Sequence, residues 1–518
     1  MKLTKHKISR PFKRLLNGLF NRLTIFAAVL ALQLTLFVVT IVYWAQNAVY
    51  FYWSLQILSL LIVIWLARKD DNPSYKLGWT ILIMLFPLLG GLFYLVWGNT
   101  PLNRTVLRRF NNALFRIDEL DRWSHEPAER LAGEQEKYVR HAQYITELCH
   151  MPLFEHTSAA YFPLGEDMFV SLLEELEKAE KFIFLEFFII QEGKMWDPIL
   201  EILKRKAACG VDVRLIYDDA GCLLLLNRDY PKMLRSYGIR TLVFNRLTPM
   251  LNRFLNYRNH RKIVIIDGNV GYMGGINLAD EYINAYEKHG HWKDTAVKIT
   301  GDAVFAYTCL FLQMWQFICG EGADHAKFMP TVRAQTDGFV LPFSDSPLDD
   351  YNIGEISYMQ VLNAARDHVY ITTPYLILDN EMITALSTAA RSGVDVRIIT
   401  PGVADKWYVH LVTQSYYKTL INAGVHIYEY TPGFMHAKMV TADGEIAIIG
   451  TINMDFRSFY LHFECGTVFY NASVASAIET DFLKTLKLCH EISLDTLEDI
   501  SGGKLFLQSI LRIFAPLM

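Results

Sequence analysis

The chain has 518 residues, of which 52% are hydrophobic, and it carries a formal net charge of −4 at pH 7. This length is enough for two domain-sized units and a further segment, and the slight acidity argues against a nucleic-acid partner. The basic residues are unevenly placed, because residues 1–23 contain seven Lys or Arg and no Asp or Glu.

Three apolar runs follow this basic segment, at Leu23–Trp44, Val49–Leu66 and Leu77–Trp97. Each is near the ~20 residues that an α-helix needs to cross a bilayer, and each has Trp or Tyr at its margins. Two runs follow the first one, which does not fit a cleaved signal peptide. Residues 1–100 are therefore predicted to be a basic segment with membrane helices, in a multi-pass membrane protein.

The sequence leaves open on which side of the membrane the chain after residue 100 lies. A basic amino terminus favours the cytoplasmic side, so three complete spans would place the following chain outside. Pro87, Gly90 and Gly91 lie near the middle of the third run, where they would allow a kink or a re-entrant segment that returns the chain inside.

Strands alternate with helical stretches in the rest of the chain, which predicts an α/β fold with a largely parallel sheet in each of two units. The predicted boundaries are a helical connector at 101–153, a first unit at 154–336, and a second unit at 337–518 that ends in an apolar helix. The predicted strands are Phe182–Ile190, Val211–Tyr217, Thr241–Phe244, Ile263–Asp267 and Thr295–Ile299, then Val369–Thr373, Val394–Thr400, Val425–Tyr430, Met439–Thr441 and Thr467–Tyr470.

One short motif occurs twice, once in each predicted unit. In both copies a Lys follows a His by two positions, an Asp follows the Lys by five, and an Asn follows the Asp by ten. A single copy would be a weak signal, but two copies in a shared frame indicate a duplicated unit with a common function. The residues are His260, Lys262, Asp267 and Asn277 in the first copy, and His436, Lys438, Asp443 and Asn453 in the second.

These residue types suit phosphodiester chemistry. A neutral imidazole can attack phosphorus, and an imidazolium can protonate the leaving alkoxide, so one histidine from each unit would supply both roles. Lys262 and Lys438 would supply positive charge to the non-bridging oxygens, and Asn277 and Asn453 would supply neutral donors to them. No metal or other cofactor is expected, because the lysines already neutralise the phosphoryl group.

The acidic candidates fall into two groups. Asp267 and Asp443 belong to the motif and are counted with its catalytic residues, although each begins an Asp-Gly turn and is interpreted first as structural. A catalytic histidine also needs a carboxylate on its other ring nitrogen. Alignment of the strand after each motif sets Asp294 opposite Glu464, and we predict that Asp294 orients His260 and Glu464 orients His436. The alternative for both is an ordinary surface acid.

The duplicated motif resembles that of the phospholipase D superfamily, and its flanking segments resemble the bacterial cardiolipin synthases. Leu23–Trp44 departs from the usual pattern of that family, which has two membrane segments. The segments that carry the resemblance are Phe86–Gly90, Phe184–Ile190, Asn256–Lys262, Gly274–Asn277, Thr373–Tyr375, Tyr428–Lys438 and Asn453–Ser458.

The resemblance implies two α/β/α sandwich units that face each other across a pseudo-twofold axis. It also implies that a phosphatidyl group passes between two phosphatidylglycerol molecules through a phosphohistidine, which gives cardiolipin and glycerol. By the same resemblance His260 would be the nucleophile and His436 the acid/base.

Other functions stay open on the sequence alone. The same chemistry with water would make the protein a phospholipase D that forms phosphatidic acid, and phosphatidylethanolamine could serve as the donor. A scaffold with a decayed site is disfavoured by two intact motifs, and a tethered nuclease by the net acidity and the apolar runs. The sequence does not determine the oligomeric state.

Overall fold

The structure is a computed structural model that describes residues 31, 35–36, 38–39, 48–70, 72–94, 98, 104–115, 126–247, 256–322, 324–349, 351–498 and 500–517. The chain forms two compact units. The smaller consists mainly of Met1–Pro101 with Leu247–Phe254, and the larger consists mainly of Leu102–Arg246 with Leu255–Pro516.

The smaller unit contains three described helices, Ala48–Ala67, Pro73–Leu85 and Pro87–Phe93. The predicted run Leu77–Trp97 is not one helix: it is interrupted at Phe86, whose ψ of 76° lies outside the helical region. Pro87 explains the break, because a proline ring disfavours helical geometry in the residue before it. The run Leu23–Trp44 lies mostly outside the described residues. Across the described part of the chain, no helix combines the length and the apolarity that a membrane crossing requires.

The larger unit begins with helices Arg104–Asn111, Glu126–Glu134 and Glu136–Cys149 and then builds a first sheet. Its seven strands are hydrogen-bonded in the order β1-β9-β7-β6-β2-β3-β4. The strands up to residue 301 are β1 Thr157–Phe162, β2 Phe182–Phe187, β3 Asp212–Asp218, β4 Arg240–Phe244, β5 Arg258–Asn259, β6 Ile263–Ile266, β7 Val270–Gly274, β8 His291–Lys293 and β9 Ala296–Gly301.

A second sheet repeats this arrangement. Its main path is β10-β19-β17-β16-β11-β13-β14-β20, so its first seven positions match those of the first sheet strand by strand. The strands are β10 Phe339–Asp345, β11 His368–Thr372, β12 Leu376–Ile377, β13 Asp395–Pro401, β14 His426–Tyr430, β15 Gly433–Met435, β16 Met439–Ala442, β17 Ile446–Gly450, β18 Met454–Asp455, β19 His462–Tyr470 and β20 Cys489–Glu491.

Helices cover the sheets and connect their strands. Those of the first half are Gly165–Lys178, Trp196–Ala208, Asp219–Cys222, Tyr230–Ser236 and Val304–Cys319, with a 3-10 turn at Asp280–Ile283. After the short 3-10 turn His325–Phe328, those of the second half are Ile353–Ala364, Asn380–Arg391, Trp407–Ile421, Phe456–Tyr460, Ser473–Leu486, Leu494–Glu498 and Gly502–Ile513, before the 3-10 turn Ala515–Leu517.

The prediction of largely parallel sheets is wrong. In the first sheet only the β2–β3 and β3–β4 pairings are parallel, and the other four pairings are antiparallel. The reason is the Asp-Gly turn of each motif, in which both residues take a positive φ (53° and 71° at Asp267 and Gly268). Such a turn closes a hairpin, so β6 returns as the antiparallel β7.

The helix Val304–Cys319 is buried along nearly its whole length. It packs against strands of the first sheet and against β10 of the second, and the hydroxyl of Tyr307 is 2.6 Å from that of Thr467 on β19. A helix that is apolar on all sides is stable only where both faces are covered. The two halves of the larger unit therefore share one core.

Candidate active site

Each motif histidine directly follows a short strand that pairs with the opposite half. β5 runs parallel to the start of β19, and the backbone N–H of His260 donates to the carbonyl oxygen of Phe463 at 2.9 Å. β15 runs parallel to β8 in the same way, and the N–H of His436 donates to the carbonyl of Lys293 at 2.7 Å. This reciprocal exchange holds each histidine by the backbone of the other half.

Each imidazole is bound to a buried carboxylate, also from the other half. The Nδ1 atom of His260 is 2.9 and 3.0 Å from the two oxygens of Glu464, and Nδ1 of His436 is 2.5 Å from Oδ2 of Asp294. Both acids have no exposed surface. With Nδ1 occupied, the Nε2 atom of each histidine is the nitrogen available for chemistry.

The predicted assignment of these two acids is therefore wrong, although the residues themselves lie at the site. Asp294 contacts His436 instead of His260, and Glu464 contacts His260 instead of His436. Alignment of the repeats finds equivalent positions within each half, but the exchange of β5 and β15 brings each histidine to the acid of the opposite half.

Glu464 accepts hydrogen bonds from several side chains besides His260. The hydroxyl of Ser458 lies 2.8 Å from Oε1, the hydroxyl of Thr451 donates to Oε2, and Nδ1 of His462 is 3.3 Å from Oε1. By contrast, within the described part of the chain Asp294 accepts one further hydrogen bond, from the backbone N–H of Thr295 at 2.8 Å. The two histidine–carboxylate pairs are therefore not equivalent.

Ser458, Thr451 and His462 were not among the residues predicted from sequence. His462 lies two residues before Glu464 on β19, so both side chains project from the same face of the strand. That His-x-Glu spacing was the available signal for His462. Ser458 reaches the site from the helix Phe456–Tyr460, which no spacing rule connects to Glu464.

The two motif lysines are buried beside their histidines. Nζ of Lys262 donates to the carbonyl of His260 at 2.6 Å, and Nζ of Lys438 donates to the carbonyl of His436. Burial lowers the pKa of Lys262 to about 7 and that of Lys438 to about 8. An incoming phosphodiester anion would stabilise the charged form of both.

The surroundings of both histidines favour the neutral imidazole. Burial is the main cause that lowers their pKa well below the usual value, and the charges of Lys262 and Lys438 add to it. Burial has the opposite effect on the carboxyl of Asp294, whose pKa rises to about 7. A neutral imidazole whose Nδ1 faces a carboxylate can act as a nucleophile through Nε2.

Each motif asparagine is fixed by neighbours. Oδ1 of Asn277 accepts from the backbone N–H of Ile189 at 3.0 Å, and its Nδ2 donates to the hydroxyl of Tyr282 at 2.8 Å. Nδ2 of Asn453 donates to a carboxylate oxygen of Asp455 at 3.2 Å. An amide nitrogen carries two N–H groups, and among the described residues each of these nitrogens donates to one partner, which leaves its second N–H for a ligand.

Asp267 and Asp443 serve the turns and not the histidines, which corrects their place among the catalytic candidates. The carboxylate of Asp267 accepts from the backbone N–H groups of residues 180–182 at 2.7–2.9 Å. Asp443 does the same for residues 366–368 at 2.9–3.1 Å and also binds Nζ of Lys137 at 2.7 Å. Each aspartate thereby joins its hairpin to the start of the neighbouring strand, as its structural interpretation expected.

Aromatic rings surround both imidazoles. The ring of Phe188 lies 5.1 Å from that of His260, between centroids. The rings of Tyr282, Trp292 and Phe434 lie 5.4, 5.2 and 5.7 Å from that of His436. These rings reduce the access of water to Nδ1 and strengthen the charge interactions of the site.

Potential metal-ligating atoms of His260, His462 and Glu464 lie within 4.8 Å of one another. In this arrangement both imidazoles are hydrogen-bonded to the carboxylate of Glu464. A metal ion would have to displace those hydrogen bonds, so the cluster is built to orient imidazole.

Two buried histidine–carboxylate pairs with a lysine beside each, in an α/β fold with two matching sheets, define a phosphoryl-group transferase. Residues 172–315 and 358–486 match the family model for the cardiolipin synthase, phospholipase D-like domain, and residues 57–99 match the phospholipase D-nuclease N-terminal model. The chain belongs to the cardiolipin synthase family of phospholipase D-like proteins and is an enzyme of the phosphatidyltransferase type.

Similar proteins cover nearly the whole chain. An uncharacterized protein of Streptococcus mutans serotype c is 41% identical over 88% of this chain and 99% of its own length. A cardiolipin synthase of Geobacillus sp. strain WCH70 is 33% identical over 96% of this chain and 100% of its own length. The crystal structure of phosphatidylserine synthase from Haemophilus influenzae Rd KW20 covers 74% of this chain and 98% of its own, with 16% identity and a TM-score of 0.56, and supports the fold.

Proposed function

We propose that the enzyme joins two phosphatidylglycerol molecules into cardiolipin and releases glycerol, through a covalent phosphohistidine. The observation that carries the proposal is the crossed pair of buried histidines, each bound at Nδ1 to a carboxylate of the opposite half. Relatives named cardiolipin synthase, 31–33% identical over 96% of this chain, support the same substrate class.

In the first half-reaction, Nε2 of His260 attacks the phosphorus of the donor lipid. The bond from phosphorus to the glycerol headgroup oxygen breaks, and His436 transfers its Nε2 proton to that oxygen. Glycerol leaves, and the phosphatidyl group remains on His260. His436 must carry a proton for this step; the negative phosphodiester, bound by Lys262 and Lys438, favours that protonation because it offsets the charge of both lysines.

In the second half-reaction, the now neutral His436 removes a proton from a headgroup hydroxyl of a second phosphatidylglycerol. The resulting alkoxide oxygen forms a bond to phosphorus, and the bond to Nε2 of His260 breaks. Cardiolipin leaves, and His436 again holds the proton that it delivers in the next cycle. No net oxidant, metal or nucleotide is consumed.

The unequal surroundings of the two acids support this division of roles. Glu464 accepts from Ser458, Thr451 and His462 as well as from His260, and these hydrogen bonds fix its two oxygens opposite the positively charged phosphohistidine. Asp294 has fewer donors, and burial raises its pKa to about 7, which suits a partner for a histidine that gains and loses a proton in each cycle.

The wider organisation is part of the proposal. The matching strand orders of the two sheets support two pseudo-symmetric phospholipase D units, at 154–336 and 337–518, after the connector at 101–153. The basic segment, the apolar runs of residues 1–100 and a lipid substrate support multi-pass insertion of that region in the bacterial cell membrane.

Product analysis of purified protein in vesicles of phosphatidylglycerol tests the proposal. We expect cardiolipin and free glycerol in equal amounts, and neither product from His260→Ala or His436→Ala. His426→Ala is the matched control, because His426 forms a surface pair with Glu491 at 2.9 Å that the mechanism does not use. Phosphatidic acid in place of cardiolipin would mean that water is the acceptor.

Two further experiments test which lipid is the donor and which residue is the nucleophile. Vesicles that also contain phosphatidylethanolamine would release ethanolamine if that lipid were the donor. Phosphatidylglycerol labelled with ³²P should leave an acid-labile, base-stable label on the wild-type chain after rapid quenching, and none on His260→Ala. A label that survives on His260→Ala would assign the nucleophile to another residue.

A further inference from the structure

Two loops occupy equivalent positions in the two halves of the larger unit. One follows β3 and the other follows β13, and each of these strands lies between two parallel neighbours. His260 precedes β6, which runs antiparallel to β2, so this histidine lies at the carboxyl end of β2. His436 precedes β16, which runs antiparallel to β11, so it lies at the carboxyl end of β11. Each loop therefore lies at the same sheet edge as a catalytic histidine.

Both loops expose large apolar side chains. In the loop after β3, Leu223, Leu224 and Leu225 are 51%, 94% and 37% exposed. The loop after β13 leads into the helix Trp407–Ile421: Val403 in the loop is 39% exposed, and Trp407 and Tyr408 at the start of the helix are 64% and 37% exposed. Single exposed apolar residues are common, but two clusters at the same edge of a site are typical of an interaction surface.

A short chain of contacts joins the first loop to its histidine. The thiol of Cys222, next to Leu223, is 3.6 Å from the carbonyl oxygen of Phe188. The ring of Phe188 in turn lies 5.1 Å from that of His260. The leucines are thus a few side chains away from the proposed nucleophile.

The second loop is connected to the other histidine in the same way. The hydroxyl of Tyr375 donates to Oδ2 of Asp405 at 2.6 Å. The ring of Tyr375 lies 6.3 Å from that of Phe434, which lies 5.7 Å from that of His436. Each histidine therefore has one exposed apolar loop near it.

The carboxyl-terminal helix Gly502–Ile513 extends the second loop. Its Arg512 donates to the carbonyl of Ser415 at 3.3 Å, which holds it along the helix that begins at Trp407. Phe506 on this helix is 69% exposed. The second half thus exposes a further large apolar side chain on a helix packed against the one that begins at Trp407.

The chemistry of both loops fits a phospholipid surface. Leucines suit the acyl region, and Trp and Tyr suit the boundary with the headgroups. Exposed basic residues, Arg228 near the first loop and Lys406 in the second, are complementary to lipid phosphates. A protein bound across both loops would cover the sheet edges at which the histidines lie, whereas a bilayer there would supply the lipid.

We propose that Leu223–Leu225 and Val403–Tyr408 form a rim that inserts into the surface of a phospholipid bilayer, so that donor and acceptor lipids reach both histidines directly from the membrane. The proposal rests on the proposed function for its choice of substrate. It assigns a lipid-contacting role to the larger unit itself, separately from residues 1–100.

A comparison of two physical forms of one substrate tests the rim. The full chain is assayed with phosphatidylglycerol in vesicles and with short-chain phosphatidylglycerol dispersed as monomers. Leu223→Ser with Leu224→Ser, and separately Trp407→Ser, should lower turnover in vesicles about tenfold and change turnover of monomers by less than about twofold. Val170→Ser, at a 58% exposed site on the helix Gly165–Lys178, is the control that should change neither.

Fluorescence quenching gives a readout that does not depend on turnover. Lipids brominated on their acyl chains should quench a component of the tryptophan fluorescence that is present in the wild type and absent from Trp407→Phe. An absence of that component, or an equal loss of turnover with both substrate forms, would overturn the rim. Failure of the wild type to make cardiolipin from either form would refute the proposed function instead, while the quenching would still decide whether the rim inserts.

Discussion

The Nδ1 atom of His260 lies 2.9 Å from a carboxylate oxygen of Glu464, a residue 204 positions further along the chain and in the other half of the larger unit. The reciprocal contact joins His436 to Asp294. Neither half contains a complete histidine–carboxylate pair, so a functional site requires both halves to be folded against each other.

Because Glu464 contacts the proposed nucleophile and Asp294 contacts the proposed acid/base, the kcat of their variants should depend differently on the leaving group of the donor lipid. Glu464→Gln should lower kcat by about 10²–10⁴ with any donor, because it removes the carboxylate from the nucleophile. Asp294→Asn should cause a similar loss with phosphatidylglycerol but a much smaller one with a p-nitrophenyl ester of phosphatidic acid, since a nitrophenolate leaves without a proton. Steady-state kinetics with both donors gives the comparison; rescue of Glu464→Gln and not of Asp294→Asn would contradict the roles assigned here.

His462 is predicted to position Glu464 without touching the lipid. Its Nδ1 is 3.3 Å from Oε1 of Glu464, and its Nε2 accepts from Arg457 at 3.3 Å. His462→Phe should lower kcat about tenfold at unchanged KM and shift the pH profile of kcat, as expected for a residue behind a catalytic group. His462→Gln retains a donor and should recover most of the loss. A rise in KM with constant kcat would point to substrate contact instead.

The lowered pKa values of the two motif lysines predict a loss of activity at alkaline pH. Lys262 and Lys438, with pKa values of about 7 and 8, are charged below those values and lose their charge as the pH rises through them. The profile of kcat/KM, which reports the free enzyme, should therefore fall above pH ~7–8, and that of kcat should fall at higher pH because bound phosphate stabilises the cations. Lys262→Arg should move the fall in kcat/KM upward; a flat wild-type profile would contradict the assignment.

Asp443 is predicted to contribute to stability and not to chemistry. Burial works against ionisation, but the hydrogen bonds from Lys137 and three backbone N–H groups lower its pKa to about 2. Asp443→Asn keeps the side-chain shape and should reduce the free energy of unfolding by about 2 kcal/mol, while the folded fraction keeps its specific activity. Thermal unfolding and activity per folded molecule are the measurements, and Asp267→Asn is the equivalent variant of the first half.

The same aspartate gives a pH dependence with a definite sign. Because its pKa is depressed on folding, the stabilisation is present above the unfolded-state value of about 4 and is lost as the pH falls from there towards 2. The wild type should therefore lose stability over that interval more steeply than Asp443→Asn. Equal acid sensitivity of the two chains, with lost activity in the variant, would favour a catalytic role.

The residues that form the candidate site were predictable from the sequence, because the duplicated spacing is a local property. His260, Lys262, His436, Lys438 and the acids later found beside the histidines could all be named from their position in the repeat. The α/β class followed in the same way from alternating strands and helices.

The sheet directions and the partners of the histidines were not predictable in this way. The Asp-Gly turns made β6 and β7 a hairpin, a signal that outweighed the expectation of parallel strands. Pairing of β5 with β19 depends on which backbone edges face each other after the two halves pack. No spacing within one repeat contains that information.

By itself, the sequence determined which side chains form the site and that they occur as two equivalent sets, since repeats and spacings are written along the chain. Only the tertiary structure decided that Glu464 serves His260 and Asp294 serves His436, that Ser458, Thr451 and His462 surround one acid and not the other, and that two apolar loops lie at the sheet edges that carry the histidines. These are distances between residues far apart in the chain, and they arise from strand exchange and packing between halves.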